Sequence, residues 1–81
     1  MKFFETVQCP NCRQDRLIIS KNLTTKHLYL YCCECFAAWP SPEDVENPEK
    51  MFIDTSEDSA DPTFQEVKEA GWDKYISNIV D

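Results

Sequence analysis

The chain has 81 residues, 42% apolar, with 15 acidic residues against 8 basic ones for a net charge of -7, five cysteines and a single glycine. A core drawn from so short a chain rarely supplies more than about 3–5 kcal/mol, so a metal or disulfide staple is expected, and the cysteines are the material for it. The charge argues against a chain acting alone on nucleic-acid phosphates or an anionic membrane surface, since both recruit Lys and Arg.

Residues 1–8 contain no apolar run long enough for a signal-peptide core, and no later stretch is long enough to span a bilayer, so a soluble, cytoplasmic protein is expected. In that reducing compartment, paired cysteines serve as metal ligands or redox groups more often than as disulfides. Residues 3–7 predict a short strand. Residues 17–20 and 27–31 are rich in β-branched and aromatic side chains and are joined by the polar run 21–26, which predicts an antiparallel hairpin; residues 36–39 continue the sheet.

Residues 40–62 hold four prolines and a concentration of acids, the composition of a loop, with Met51, Phe52 and Ile53 as a short apolar anchor inside it. A helix is predicted to start at Thr63, whose hydroxyl and the Glu66 carboxylate form a capping box, and to stop before Gly71 in a left-handed cap. Trp72, Tyr75, Ile76, Ile79 and Val80 extend an apolar stripe that fits a second short helix or a packed tail. The expected organisation is one domain over 1–81. It comprises a metal-binding part over 1–39, an acidic loop over 40–62 and a helical segment over 63–81 packed on the rest.

Two C-x-x-C pairs, Cys9-Pro10-Asn11-Cys12 and Cys32-Cys33-Glu34-Cys35, stand nineteen residues apart, which is zinc-site spacing. Two residues between ligands allow a tight turn that aims both sulfurs at one ion, and the hairpin returns the second pair to the first. Cys9, Cys12, Cys32 and Cys35 are therefore the candidate ligands of one structural zinc, and Cys33, with only one residue before Cys35, is the spare. A four-thiolate set also suits iron. It leaves no open coordination position for activating water, and His27 is the only histidine, so the chain is not expected to be an enzyme.

At these positions the chain resembles the zinc-ribbon family, in which two cysteine knuckles at the ends of antiparallel strands hold one structural zinc. The likeness covers about residues 3–39 and rests on the two cysteine pairs, the hairpin and Trp39. The fold class it implies is small α+β: a zinc ribbon with a hairpin or three-stranded antiparallel sheet, plus the acidic loop and C-terminal helix. One departure concerns the position after the second cysteine of each pair. Ribbon knuckles commonly carry glycine there, where the backbone turns through positive φ, and here stand Arg13 and Phe36.

The charge is segregated: residues 1–35 carry five basic and three acidic side chains, whereas residues 36–81 carry three lysines against twelve acids. The acidic half is expected to meet a basic protein partner, because dense negative charge steers association with positive surfaces. Asp54, Glu57, Asp58 and Asp61 are the candidate contacts, with Trp72 as an apolar anchor. The tail around residues 64–72 loosely resembles that of bacterial zinc-ribbon immunity proteins, which implies an acidic inhibitor of a basic toxin or nuclease. The alternative is a nucleic-acid-binding or transcription-associated ribbon that uses Arg13, Arg16, Lys21 and Lys26 on the hairpin.

Overall fold

The computed structural model of the chain describes residues 3–53 and 59–80. Its framework is four antiparallel strands: β1 (Phe3–Gln8), β2 (Arg16–Asn22), β3 (Leu28–Tyr31) and β4 (Ala37–Trp39). Further along come 3-10 turns at Pro42–Asp44 and Pro48–Lys50, short strands β5 (Phe52–Ile53) and β6 (Ser59–Ala60), the helix α1 (Phe64–Glu69), a 3-10 turn at Asp73–Tyr75 and a last strand β7 (Asn78–Val80). Among the described residues these seven strands make one sheet, six of them in the order β5-β4-β3-β2-β1-β7, with β6 joined to β2 off this path. The long central strand β2 pairs with β3 along one edge, and its other edge is shared between β1 and β6.

The sheet is larger than the expected hairpin or three-stranded core, and two expectations for the second half change. The acidic loop is not purely irregular: it lays β5 against β4, with Ala38 opposite Phe52, and β6 against the end of β2, with Lys21 opposite Ala60. Of the two expectations for the stripe after Gly71, a second short helix or a packed tail, the α-helix does not form, and the packed tail takes the form of a strand. After one 3-10 turn it becomes β7, which pairs Phe3 with Val80 and Glu5 with Asn78, so a three-residue strand completes the edge of β1.

Burial follows the alternation of the strands. Phe4, Leu17, Ile19, Leu30 and Trp39 point to one face and pack with Val45 and Val67 around the inner cysteines Cys9 and Cys32. Residues 17–20 are all buried, which marks β2 as covered on both faces. The β1–β2 register shifts between Glu5 and Gln8. Near this shift the Thr6 carbonyl accepts from Arg16 Nη1 at 3.1 Å and from Ser77 Oγ at 2.7 Å, which satisfies an acceptor at the irregularity.

The capping box of α1 forms as predicted, with Glu66 N donating to Thr63 Oγ1 at 3.2 Å and Thr63 N to Glu66 Oε1 at 3.0 Å. The other oxygen of the same carboxylate pairs with Lys21 from β2, so one side chain both caps the helix and ties it to the sheet. The helix ends in a Schellman motif: Trp72 N donates to Val67 O and Gly71 N to Lys68 O, both at 3.0 Å, with Gly71 at φ 77°. No helix among the described residues is long and apolar enough to cross a membrane.

Candidate metal centre

Strand direction brings the two cysteine pairs together. β1 runs into the first pair and β2 leaves it; β3 runs into the second pair and β4 leaves it. Because β2 and β3 are antiparallel neighbours, both turns lie at the same end of the sheet. The sulfurs of Cys9, Cys12, Cys32 and Cys35 lie within 4.8 Å of one another. The cross-knuckle separations are 3.7 Å for Cys9–Cys35 and 3.5 Å for Cys12–Cys32. A tetrahedral ion with Zn–S bonds of about 2.3 Å sets neighbouring sulfurs about 3.8 Å apart, whereas a disulfide needs about 2.05 Å. The cluster therefore fits one four-coordinate metal ion, and all five cysteines are free thiols.

The two turns are built alike. Arg13 N donates to Cys9 O at 3.0 Å and Phe36 N to Cys32 O at 2.9 Å, closing each pair into a tight loop. The residue that closes it stands at φ 56° in the first turn and 62° in the second. The departure noted in the sequence is thus absorbed without changing the turn: Arg13 and Phe36 take the left-handed conformation that glycine would take at less cost. The first turn has an additional brace, Gln8 Nε2 donating to Arg13 O at 2.9 Å.

The four thiols are not electrostatically equivalent. Burial pushes Cys32 up to about 12, only partly offset by the N–H groups of Cys35 and Glu34. Cys9 is also raised by burial, against the N–H groups of Cys12 and Asn11. Cys35 is desolvated too, but the Asn11 carboxamide, the Ala37 N–H and the neighbouring Cys32 and Cys12 thiols together bring it down to about 6. At neutral pH these shifts favour a thiolate at Cys35 beside protonated thiols at Cys9 and Cys32, and a cation entering the site releases protons as the sulfurs become ligands.

Cys33 lies outside the cluster, exposed, its Sγ donating to Asp15 Oδ2 at 3.2 Å. Desolvation, followed by the Asp15 and Glu34 carboxylates, pushes this thiol up to about 11, which disfavours the nucleophilic thiolate. His27 is exposed in the turn at the far end of the hairpin from the cysteines, just before β3.

Of the candidate partner contacts, Asp54, Glu57 and Asp58 lie outside the described residues. Asp61 is exposed just before α1. Trp72 is half-buried and packs against the core, and it also lines an open groove with Leu28, Phe52 and Ile53. The apolar anchor expected at residues 51–53 is only partly one: Met51 packs on the core, while Phe52 and Ile53 are exposed on the edge strand β5. The basic side chains of the hairpin do not gather. Arg16 is engaged with Thr6 O and Ser77 Oγ, Lys21 pairs with Glu66, Arg13 lies in the first cysteine turn, and Lys26 sits at the opposite end of the hairpin.

Sequence reasoning missed Asn11, whose Nδ2 donates to Cys35 Sγ at 3.4 Å. Its position between two ligand cysteines was the available signal, since a carboxamide there is held within reach of the facing sulfurs. No protein-family model matches the chain, and neither a curated protein nor a solved structure is detectably similar to it.

Proposed function

We propose that the chain is a non-enzymatic, zinc-binding protein-interaction module of zinc-ribbon type, which uses its acidic second half to engage a basic protein partner. The observation that carries the metal part is the set of four sulfurs at tetrahedral spacing, supported by four strands that deliver both pairs to one end of the sheet. Cys9, Cys12, Cys32 and Cys35 are the ligands in this reading, and Cys33 is not. Zinc is preferred over iron because four thiolates with no exchangeable position suit a structural ion, whose binding contributes directly to the folding of a small domain.

The interaction part rests on charge. Twelve of the fifteen acids follow residue 35. Two of the four basic residues of the hairpin, Arg16 and Lys21, are occupied within the chain, which weakens the nucleic-acid alternative relative to a basic protein surface. The most specific form of the proposal is an acidic inhibitor or immunity protein that presents carboxylates where a nuclease or toxin would bind phosphates, with Asp54, Glu57, Asp58, Asp61 and Trp72 as its contacts.

Native mass spectrometry after zinc-replete expression tests the metal. One zinc per chain, retained in Cys33→Ser and lost in Cys32→Ser, is expected; loss in Cys33→Ser reverses the ligand assignment. Pull-down from the native cell extract tests the partner. A chain with Asp54, Asp58 and Asp61 changed to Asn and Glu57 changed to Gln is expected to lose it, and unchanged recovery sinks the acidic-surface reading. A salt-dependent gel shift with short DNA or RNA, abolished by neutralising Arg13, Arg16, Lys21 and Lys26, would favour the nucleic-acid alternative instead.

A further inference from the structure

The two cysteine turns match in backbone but not in side chains. Asn11 and Glu34 occupy the same place, the residue before the second cysteine of each pair. Asn11 Nδ2 reaches across to the other turn and donates to Cys35 Sγ at 3.4 Å. A thiolate accepts hydrogen bonds and does not donate them, so the amide nitrogen is the end that must face it. Glu34 has a carboxyl in place of the carboxamide, so it offers no side-chain N–H to any sulfur. Among the described residues Asn11 is the only side chain whose nitrogen donates to a ligand sulfur, and that bond goes to one of the two ligands left half-buried. Cys12, the other half-buried ligand, has the Cys32 sulfur at 3.5 Å and no such side-chain donor.

We propose that Asn11 is a positioning residue of the metal centre, a guard on Cys35 that leaves Cys12 as the ligand through which metal exchange and attack by electrophiles begin. The inference rests on the metal-binding reading above and extends it to the reactivity of the individual sulfurs. The physical cause is the charge of the site. Four thiolates around a divalent cation carry a net charge of -2, and each N–H directed at a sulfur draws off some of that charge, making the sulfur a poorer nucleophile and a poorer base. Cys9 and Cys32 are fully buried, with backbone N–H groups directed at them. Access from solvent is thus decided between Cys12 and Cys35, and the Asn11 carboxamide tips it toward Cys12. Partners of metal ligands that lie one shell out typically affect metal affinity by about 10–100-fold, which sets the size of effect to look for.

The test uses the zinc-loaded full chain in a Cys33→Ser background, so that the exposed thiol does not consume reagent. Asn11→Asp keeps the shape of the side chain and replaces the donor by an acceptor; Asn11→Ser retains a shorter donor. Two rates are measured: zinc transfer to a chromophoric chelator, and alkylation by iodoacetamide mapped to each cysteine by peptide mass spectrometry. In the parent chain Cys12 is expected to be alkylated before Cys35. In Asn11→Asp, alkylation of Cys35 and zinc transfer are each expected to rise by about tenfold or more, with Asn11→Ser in between. The cobalt-substituted chain supplies a spectroscopic check, a shift of the sulfur-to-cobalt charge-transfer band in Asn11→Asp that a purely structural role would not produce. Unchanged rates and an unshifted band in an Asn11→Asp chain that holds one zinc overturn the role of Asn11 and leave the metal reading intact. A parent chain that binds no metal overturns both. Should Asn11→Asp fail to fold, the parent chain decides: Cys35 reacting as fast as Cys12 refutes the guard.

Discussion

Replacing Arg13 by glycine should stabilise the protein, and replacing Phe36 should not, although both residues close equivalent turns at φ 56° and 62°. A residue with a Cβ in the left-handed region costs about 1–2 kcal/mol, and glycine avoids this while losing about 0.5–1 kcal/mol more backbone entropy on folding. The side chain of Arg13 is exposed, and the hydrogen bonds of its peptide group, to Cys9 O and from Gln8 Nε2, survive the change. A net gain of roughly 0.5–1 kcal/mol remains, equivalent to a melting point higher by about 2–8 °C in a domain of this size. Phe36 is 55% exposed, so slightly under half of the residue is buried. Losing that part costs on the order of 1 kcal/mol, which cancels the relief of strain. Thermal unfolding by circular dichroism in excess zinc measures both variants, with Arg13→Ala as the control that retains a Cβ and therefore the strain. An Arg13→Gly chain that melts at or below Arg13→Ala would refute the reasoning.

Gly71→Ala should cost about 1 kcal/mol by the left-handed penalty alone, since a Cβ at Gly71 meets nothing within 4 Å; Gly71→Asn should recover part of it in the same melting assay. Arg16→Met should lower the stability by roughly 1 kcal/mol, because it removes a donor to the Thr6 carbonyl at the irregular stretch of β1, and chemical denaturation reads the change directly. The pairing of Glu66 with Lys21, followed by the Thr63 N–H, holds the Glu66 carboxyl below its ordinary value of 4.5. A carboxyl depressed in the folded state stabilises above its ordinary range and loses that contribution as pH falls through the folded value. The stability difference between the parent chain and Lys21→Met is therefore expected to be constant above about pH 5 and to vanish on acidification. Comparing the two chains removes the common effect of thiol protonation, and a difference that persists when Glu66 is protonated would disprove the electrostatic origin.

What was legible in the sequence is what local chemistry dictates. The C-x-x-C spacing placed Cys9, Cys12, Cys32 and Cys35 together, the β-branched and aromatic runs gave the hairpin of β2 and β3, and the Thr63–Glu66 pattern and Gly71 marked the two ends of α1. Hidden were the elements defined by their neighbours. β5, β6 and β7 are two or three residues long, too short to display a period, and they exist because β4, β2 and β1 offer open edges. The same holds for Ile79, which as one apolar residue in a stripe fits a helix as well as a strand until β1 supplies the pairing. At the metal centre, the strained turns at Arg13 and Phe36 and the donor on Asn11 depend on three-dimensional closure across two segments, which spacing alone does not encode.

Strand β1 precedes the other six strands along the chain, yet in the finished sheet it lies between β2 and β7, the last of the seven in chain order. A chain emerging from the ribosome can complete both cysteine turns and the hairpin while one edge of β1 still waits for residues 78–80. During that interval the free edge carries unpaired backbone groups, the usual starting point for wrong pairing between nascent chains. Because Phe3 and Val80 stand opposite each other across the β1–β7 pair, a short linker can join them, and residues 3–80 permuted to open in the turn at residues 23–27 would make β1 and β7 consecutive. Such a permutant removes the wait, and its yield of soluble protein relative to the natural order measures how much of the folding difficulty lies in the late pairing of β7.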